Sequence, residues 1–426
     1  MTASEPRSAE QQRLRRDIGW NLAPVVLLGA VGLGMNLLIG GWWGSAALGA
    51  FNLVTISWFS FAMLGACGVQ YAALRAVAEA PDDRDRVAAV VAGALIPNVV
   101  LAAAMTALYL VLRPVFGALQ GDAVAEGMRW AAPGLFCFSI NKVLLCVVNG
   151  LRRMRAFAIY TSVRYLLIAG GLVFARSAEL DAAQLPVIWT FAEGGLLLVL
   201  ICELLATVKL ARGAGWLAWT KRHLDFGLRG VTATLAFEIN SKLDVWMLGV
   251  AVSNTQVGIY SLAAAIYEGA MQLAVVVQNN INPVMAQKLT ISDGAGVEAL
   301  VRRTRRWFVP ILAGAALLGA ALYPVLLPWL VGDPSYAGGA WSFAIMMLGM
   351  ALASPYLPFN QLLLMAARPG WHTAYVLGVV AVNLAGNVVL IPLLSLEGAA
   401  LASASALVAS ALLLKVLVRL RVRLTI

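Results

Sequence analysis

The sequence predicts an all-α integral membrane protein of about twelve transmembrane helices, and three observations carry that reading. The 426 residues are 61% hydrophobic and only 12% charged, where a soluble domain carries about a quarter of its residues as charges. Long apolar runs recur along the whole chain, many near the ~20 residues a helix needs to cross ~30 Å of hydrocarbon. Finally, the basic residues gather on alternate connections between those runs. A mean hydropathy of +0.83 agrees with all three.

The runs place spans near 18–39, 48–73, 88–112, 130–149, 157–175, 185–208, 229–250, 257–284, 307–330, 340–366, 371–393 and 397–418. The first is too long for the apolar region of a signal peptide. It is followed by Gly-Gly-Trp-Trp-Gly at Gly40–Gly44 rather than a small-residue cleavage site, so it is expected to be retained. The seventh is the least apolar, with Glu238, Asn240, Lys242 and Asp244 inside it. Cys67, Cys137, Cys146 and Cys202 all fall in apolar runs and show neither a disulfide framework nor zinc spacing. His223 and His372 are far apart, which argues against a histidine-based metal or catalytic centre. No metal, no cofactor and no catalytic residue is therefore expected.

Charge sets the topology. With both termini in the cytoplasm, only Arg113, Arg129 and Arg176 fall on the outer side and only Lys142, Arg164 and Lys242 lie within spans, leaving 25 of the 31 Lys and Arg on the inner side. The positive-inside rule predicts this asymmetry, and the inverted orientation violates it at almost every loop. The net charge of +10 follows from this bias; its natural neighbours are anionic membrane lipids, and it gives no reason to invoke nucleic acid. The longest internal connection, about 209–228, carries Trp216, Trp219, Lys221 and Arg222 and reads as an amphipathic segment at the headgroups. It divides a six-helix lobe at 18–208 from a second at 229–420, with tails at 1–17 and 421–426.

The two halves repeat. Leu38-Ile39-Gly40 precedes Gly49-Ala50-Phe51-Asn52 in the first, and Met247-Leu248-Gly249 precedes Gly258-Ile259-Tyr260-Ser261 at the same spacing in the second. Asn141-Lys142-Val143-Leu144-Leu145-Cys146 in span four likewise matches Asn360-Gln361-Leu362-Leu363-Leu364-Met365 in span ten. Two pseudo-symmetric six-helix lobes related by a parallel repeat are the expected architecture.

On these residues the chain resembles a family. Gly49-Ala50-Phe51-Asn52 running to Gly68 and Arg75 is similar to the second-span pattern of polysaccharide flippases. So are Asn240 to Gly249, reading Asn-Ser-Lys-Leu-Asp-Val-Trp-Met-Leu-Gly, and Val257-Gly258-Ile259-Tyr260-Ser261-Leu262-Ala263. These are the O-antigen and oligosaccharide exporters of the multidrug/oligosaccharidyl-lipid/polysaccharide superfamily. The resemblance implies a V of two lobes in a bacterial inner membrane. It also implies movement of an undecaprenyl-pyrophosphate-linked sugar from the cytoplasmic to the periplasmic leaflet, alongside a polymerase and other polysaccharide-assembly proteins. Two departures point to the polysaccharide branch: the first span lacks the acid that many multidrug exporters place in their N-terminal lobe, and no clear thirteenth and fourteenth spans, found in lipid II flippases, are present.

Ionisable residues deep in a bilayer cost at least ~2.5–3.5 kcal/mol on insertion scales, so each needs a partner or a wet cavity. On span eight, Ser261, Gln272, Asn279 and Asn282 fall within about 40° of Glu268 at ~100° per residue, a stripe that suits a cavity wall. Lys142 on span four, Arg164 on span five and Lys242 on span seven are the candidate cations for a pyrophosphate; Arg153, nearer the interface, is expected to snorkel. Asn52 and Asn360 complete the candidate cavity. Asp244, Glu268, Glu238 and Glu193 compete as the site that couples transport to H+ or Na+. Within span seven, Glu238–Lys242 and Asn240–Asp244 are spaced to pair on one helix. Pro24, Pro355 and Pro358 are expected to kink spans one and ten, with a broken helix at Ser354-Pro355-Tyr356-Leu357-Pro358.

The function expected is a flippase working by alternating access and not an enzyme. A small-molecule or cation antiporter is the alternative within the superfamily. An integral-membrane glycosyltransferase or polymerase is the alternative from another class; the short outer loops argue against it, since such enzymes present catalytic acids or histidines in substantial extramembrane segments.

Overall fold

The computed structural model describes residues 27–208, 215–240 and 242–424, and the side chains among them except at 229–240. The expected N-terminal tail, the start of span one with Pro24, the last tail residues and the Glu238 side chain lie outside that description. Among the described residues every long element is a helix. In chain order they are α1 (Leu27–Trp43), α2 (Ser45–Ala66), α3 (Val69–Glu79), α4 (Arg84–Gln120), α5 (Asp122–Gly150), α6 (Met154–Ser177), α7 (Val187–Thr207), α8 (Trp216–Asn240), α9 (Leu243–Ala251), α10 (Asn254–Thr290), α11 (Gly294–Val331), α12 (Ala340–Ala353), α13 (Leu362–Met365) and α14 (Pro369–Arg421).

Nine helical segments among the described residues are long and apolar enough to cross a membrane. α14 holds two of the expected spans, because Ser395 (φ 51°, ψ −120°) interrupts its helical backbone. With that second span, the shorter apolar α1 and the α8–α9 pair, each of the twelve expected spans has a helical counterpart. Side chains such as Trp329, Trp341 and Val325 stand about three-quarters exposed, which suits lipid rather than water as the solvent of those faces.

Among the described residues three spans are broken. Span ten ends as α12 at Ala353 and passes through a short 3-10 turn at Leu357–Phe359 before α13, as its two prolines lead one to expect. Span two breaks where no proline stands: Cys67 (φ 48°) and Gly68 (φ 71°) are left-handed. The reason is tertiary. Gly227 on α8 lies against this break so closely that a Cβ on it would sit 2.2 Å from the Cys67 carbonyl oxygen. Span seven breaks at Lys242 (φ −126°, ψ 9°), separating α8 from α9.

The chain divides into two compact units. One comprises Ala50–Glu238 with the described residues up to Met35; the other comprises Asn36–Gly49 with the described residues from Ile239 on. By packing, the boundary falls at residue 238 and the end of α1 joins the second unit. Particular contacts account for both. Gly40 lies beside Tyr336 and Gly41 beside the Val331 carbonyl, whereas Thr220 and His223 of α8 bond the carbonyls of Gly93 and Val90 on α4.

The core of the first unit joins Val69 and Val77 of α3, Val90 of α4, Val143 and Leu144 of α5, and Leu196 and Leu200 of α7. That of the second joins Met285 of α10, Val297 and Val301 of α11, Leu362 and Leu363 of α13, and Leu414 and Val418 of α14. The repeated glycines meet inside the second unit. A Cβ on Gly49 would lie 1.9 Å from the Asn254 carbonyl oxygen, and one on Gly258 would lie 1.9 Å from that of Ser45. The two motifs are similar because the first turns of α2 and α10 cross backbone to backbone, and only glycine permits that approach.

Candidate functional site

Among the described residues a polar cluster stands inside each unit. In the first, α5, α6 and α7 bring Asn141, Arg164 and Glu193 together. The Arg164 guanidinium lies 2.9 Å from Glu193 Oε1 and donates to Oε2 at 3.1 Å. Asn141 Nδ2 donates to Glu193 Oε2 and to the Glu193 backbone carbonyl, both at 2.9 Å. Glu193 is 1% exposed and Arg164 8%. The Phe138 ring, one turn before Lys142, carries both cations, with Lys142 Nζ 5.2 Å and the Arg164 guanidinium 5.0 Å from its centroid.

Arg164 and Glu193 therefore do not act as separate groups. Arg164, expected as a cation for a pyrophosphate, is held in a buried ion pair whose carboxylate comes from α7. Lys142 is half-buried beside it. Arg153, whose side chain is 42% exposed, pairs with Glu203, which also accepts from Tyr160 Oη at 2.7 Å.

In the second unit Lys242 reaches α10, where Nζ lies 2.6 Å from Glu268 Oε2, in a pair whose side chains are 40% and 43% exposed; the expected Glu238 partner lies outside the described side chains. Asp244, on the first turn of α9, turns inward and is 9% exposed. The side chain of Asn240, its expected partner by helical spacing, lies outside the described side chains. Tyr260 Oη donates to Asp244 Oδ2 at 2.6 Å, Ser403 Oγ donates to the same oxygen at 3.3 Å, and the Val245 N–H donates to Oδ1. This carboxylate has hydroxyl and amide donors where Glu193 has a guanidinium.

The remaining candidates scatter. Along α10, Gln272 and Asn279 are exposed, Glu268 and Asn282 are half-buried, and Ser261 is buried. Asn282 donates to Gln361 at 2.8 Å and Ser261 to the Gly258 carbonyl. Asn52 is half-buried. Asn360 is also half-buried, and its side-chain oxygen has no hydrogen-bond partner. Among the described residues no group of acidic, histidine and cysteine side chains could hold a metal.

Sequence reasoning missed Asn141, Tyr260 and Ser403. The first two lie inside the repeated motifs, which was the available signal. Ser403 stands 159 residues from Asp244, and nothing local marks it.

The fold is that of MOP-superfamily transporters. An inward-facing multidrug resistance MATE family transporter of that superfamily superposes with a TM-score of 0.79 at 13% identity, covering 95% of this chain and 98% of its own. The lipid II flippase MurJ, in an inward closed conformation, superposes with a TM-score of 0.78 at 12% identity, covering 94% and 87%. A point mutant of the MATE transporter VcmN of Vibrio cholerae gives 0.62 at 12% identity, covering 97% and 98%. No curated protein matches the sequence. The model of one family, described as polysaccharide biosynthesis protein, matches residues 16–289. With more than half of its length matched, this multi-pass membrane chain belongs to the polysaccharide biosynthesis protein family.

Proposed function

We propose that the protein is a flippase that carries a polyprenyl-pyrophosphate-linked oligosaccharide across a bacterial inner membrane, from the cytoplasmic to the periplasmic leaflet, with both termini in the cytoplasm. The observation that carries this reading is membership of a polysaccharide biosynthesis family by a chain with a transporter fold. The cargo's head is anionic and hydrated while its tail stays in lipid, so it suits helices that present polar side chains between apolar outer faces. Lys142, Lys242 and the exposed polar residues of α10 are the groups assigned to the head. Undecaprenyl pyrophosphate is the expected carrier, and a polymerase and other assembly proteins are the expected partners. The protein performs no covalent chemistry in this reading.

Asp244 is the group assigned to coupling with H+ or Na+. A carboxylate held by two hydroxyls can exchange a proton or a small cation without breaking a buried ion pair, an option closed to Glu193.

The test is reconstitution into liposomes with a fluorescent undecaprenyl-pyrophosphate oligosaccharide, scoring label that becomes accessible on the far leaflet. The wild-type protein should raise translocation well above empty vesicles, and Lys142→Ala should lose most of that gain while remaining folded. Absence of translocation with any lipid-linked sugar, together with efflux of an organic cation against a gradient, would assign the protein to the antiporter branch instead.

A further inference from the structure

A cavity of about 420 Å³ opens in the first unit, away from both clusters, between α3, the start of α4 and the first turns of α8. Its charged lining is Arg75 and Glu79 of α3, Arg86 of α4 and Arg222 of α8. Glu79 holds Arg86 at 2.7 Å and Arg75 at 3.4 Å. The Trp219 ring carries two guanidiniums, Arg222 at 4.9 Å and Arg86 at 5.5 Å from its centroid. Three arginines against one carboxylate leave an excess of two positive charges. The Arg86 Nε is buried and has no hydrogen-bond partner, so Glu79 satisfies this guanidinium only in part.

The surroundings are apolar. Phe226 lines the cavity, and Leu217, Phe226, Leu228 and Tyr71 are each more than 40% exposed. A site for a soluble anion has no use for such a rim; a lipid has. The arrangement also recurs in the second unit. There, the turn after α10 and the end of α14 enclose about 430 Å³ lined by Ser292, Arg368 and Arg421, with the Arg421 guanidinium 3.8 Å from the Trp371 ring centroid. In each half the cavity joins the turn after the second span to the segment following the sixth.

We propose that the cavity at Arg75, Arg86, Trp219 and Arg222 binds the phosphate headgroup of an anionic phospholipid, whose acyl chains lie along the rim of Leu217, Phe226 and Leu228. Guanidiniums donate in a planar fork to phosphate oxygens. Stacking on Trp219 holds two of them in place, so less side-chain freedom is lost when the headgroup arrives. The site does not depend on which cargo the protein carries. It would tie the start of α8 to one leaflet.

Native mass spectrometry of the full chain in detergent, titrated separately with phosphatidylglycerol and phosphatidylcholine, tests it. The wild type should hold phosphatidylglycerol at least tenfold more tightly than phosphatidylcholine. Arg75→Gln with Arg222→Gln should release one tightly held phosphatidylglycerol, with about a fivefold loss per guanidinium. Both side chains are exposed in this structure, and a size-exclusion profile checks that the variant is intact. Should it aggregate, Arg222→Gln alone should still show the fivefold loss. An unchanged lipid count in the variant, equal affinity for the two lipids, or displacement of the lipid by millimolar inorganic phosphate would each overturn the proposal.

Discussion

The two polar clusters solve the same problem in opposite ways. The first unit buries a carboxylate, Glu193, and neutralises it with a guanidinium from a neighbouring helix, adding Asn141 as a third group. The second buries Asp244 against the hydroxyls of Tyr260 and Ser403 and leaves its ion pair, Lys242 with Glu268, half exposed. The halves share a repeat in backbone architecture, yet their electrostatics have diverged. A buried ion pair resists any change in protonation, because losing one charge strands the other in a poor solvent. A hydroxyl-bonded carboxylate carries no such penalty. On this comparison the first cluster is a strut held by its charge pair, and the second is the one to which the proposed coupling role is assigned.

The largest expected effect breaks the strut. Glu193→Ala leaves Arg164 buried without its counter-charge and should cost about 3–5 kcal/mol, read as a steep loss of thermal stability in detergent or as failure to accumulate. Replacing both partners, Arg164→Met with Glu193→Leu, should recover most of that loss. A double variant as unstable as the single one would show that Asn141 or the helix packing, and not the charge pair, is what Glu193 serves.

Asp244→Asn sharpens the other side. The amide keeps the size and accepts from Tyr260, so stability should move by less than ~1.5 kcal/mol, while transport falls at least tenfold and loses its dependence on pH or sodium. Transport at the wild-type rate across both ranges would remove Asp244 from the coupling role.

The exposed pair should matter least of the three. Lys242→Gln or Glu268→Gln should shift stability by no more than ~1 kcal/mol, since solvent already screens half-exposed charges. A loss comparable to that of Glu193→Ala would erase the contrast between the units.

The smallest effect concerns a repeated cap. Asp83 accepts from the Arg86 N–H at the start of α4, and Asp293 accepts from the Gly296 N–H at the start of α11. The bond from Lys288 and that from the Gly296 amide hold the Asp293 carboxyl below its ordinary range. A lowered folded-state pKa contributes stability above the ordinary carboxylate pKa, and that contribution is lost as pH falls through the lowered value. Asp293→Ala should therefore lower Tm slightly at neutral pH, with the difference from wild type closing under strong acid. A gap that stays constant with pH would show that the cap acts without its charge.

What the sequence by itself determined is the set of spans. Hydrophobic run length is a local property, and a bilayer forces every backbone group to be satisfied within its own helix, so each of the twelve runs has its helical counterpart. The break at Pro355 and Pro358 was legible for the same local reason, and the paired Gly49 and Gly258 motifs announced that something recurred. Tertiary structure decided the rest. The break at Cys67–Gly68 exists because Gly227 of α8 presses on it, and Lys242, at the break before α9, reaches Glu268 on another helix. Arg164 meets Glu193 across 29 residues and Asp244 meets Ser403 across 159. A periodic pattern says which residues share a face of one helix. It does not say how that helix is rotated against its neighbours, and that rotation chose which charges were paired and which carboxylate was left with hydroxyls.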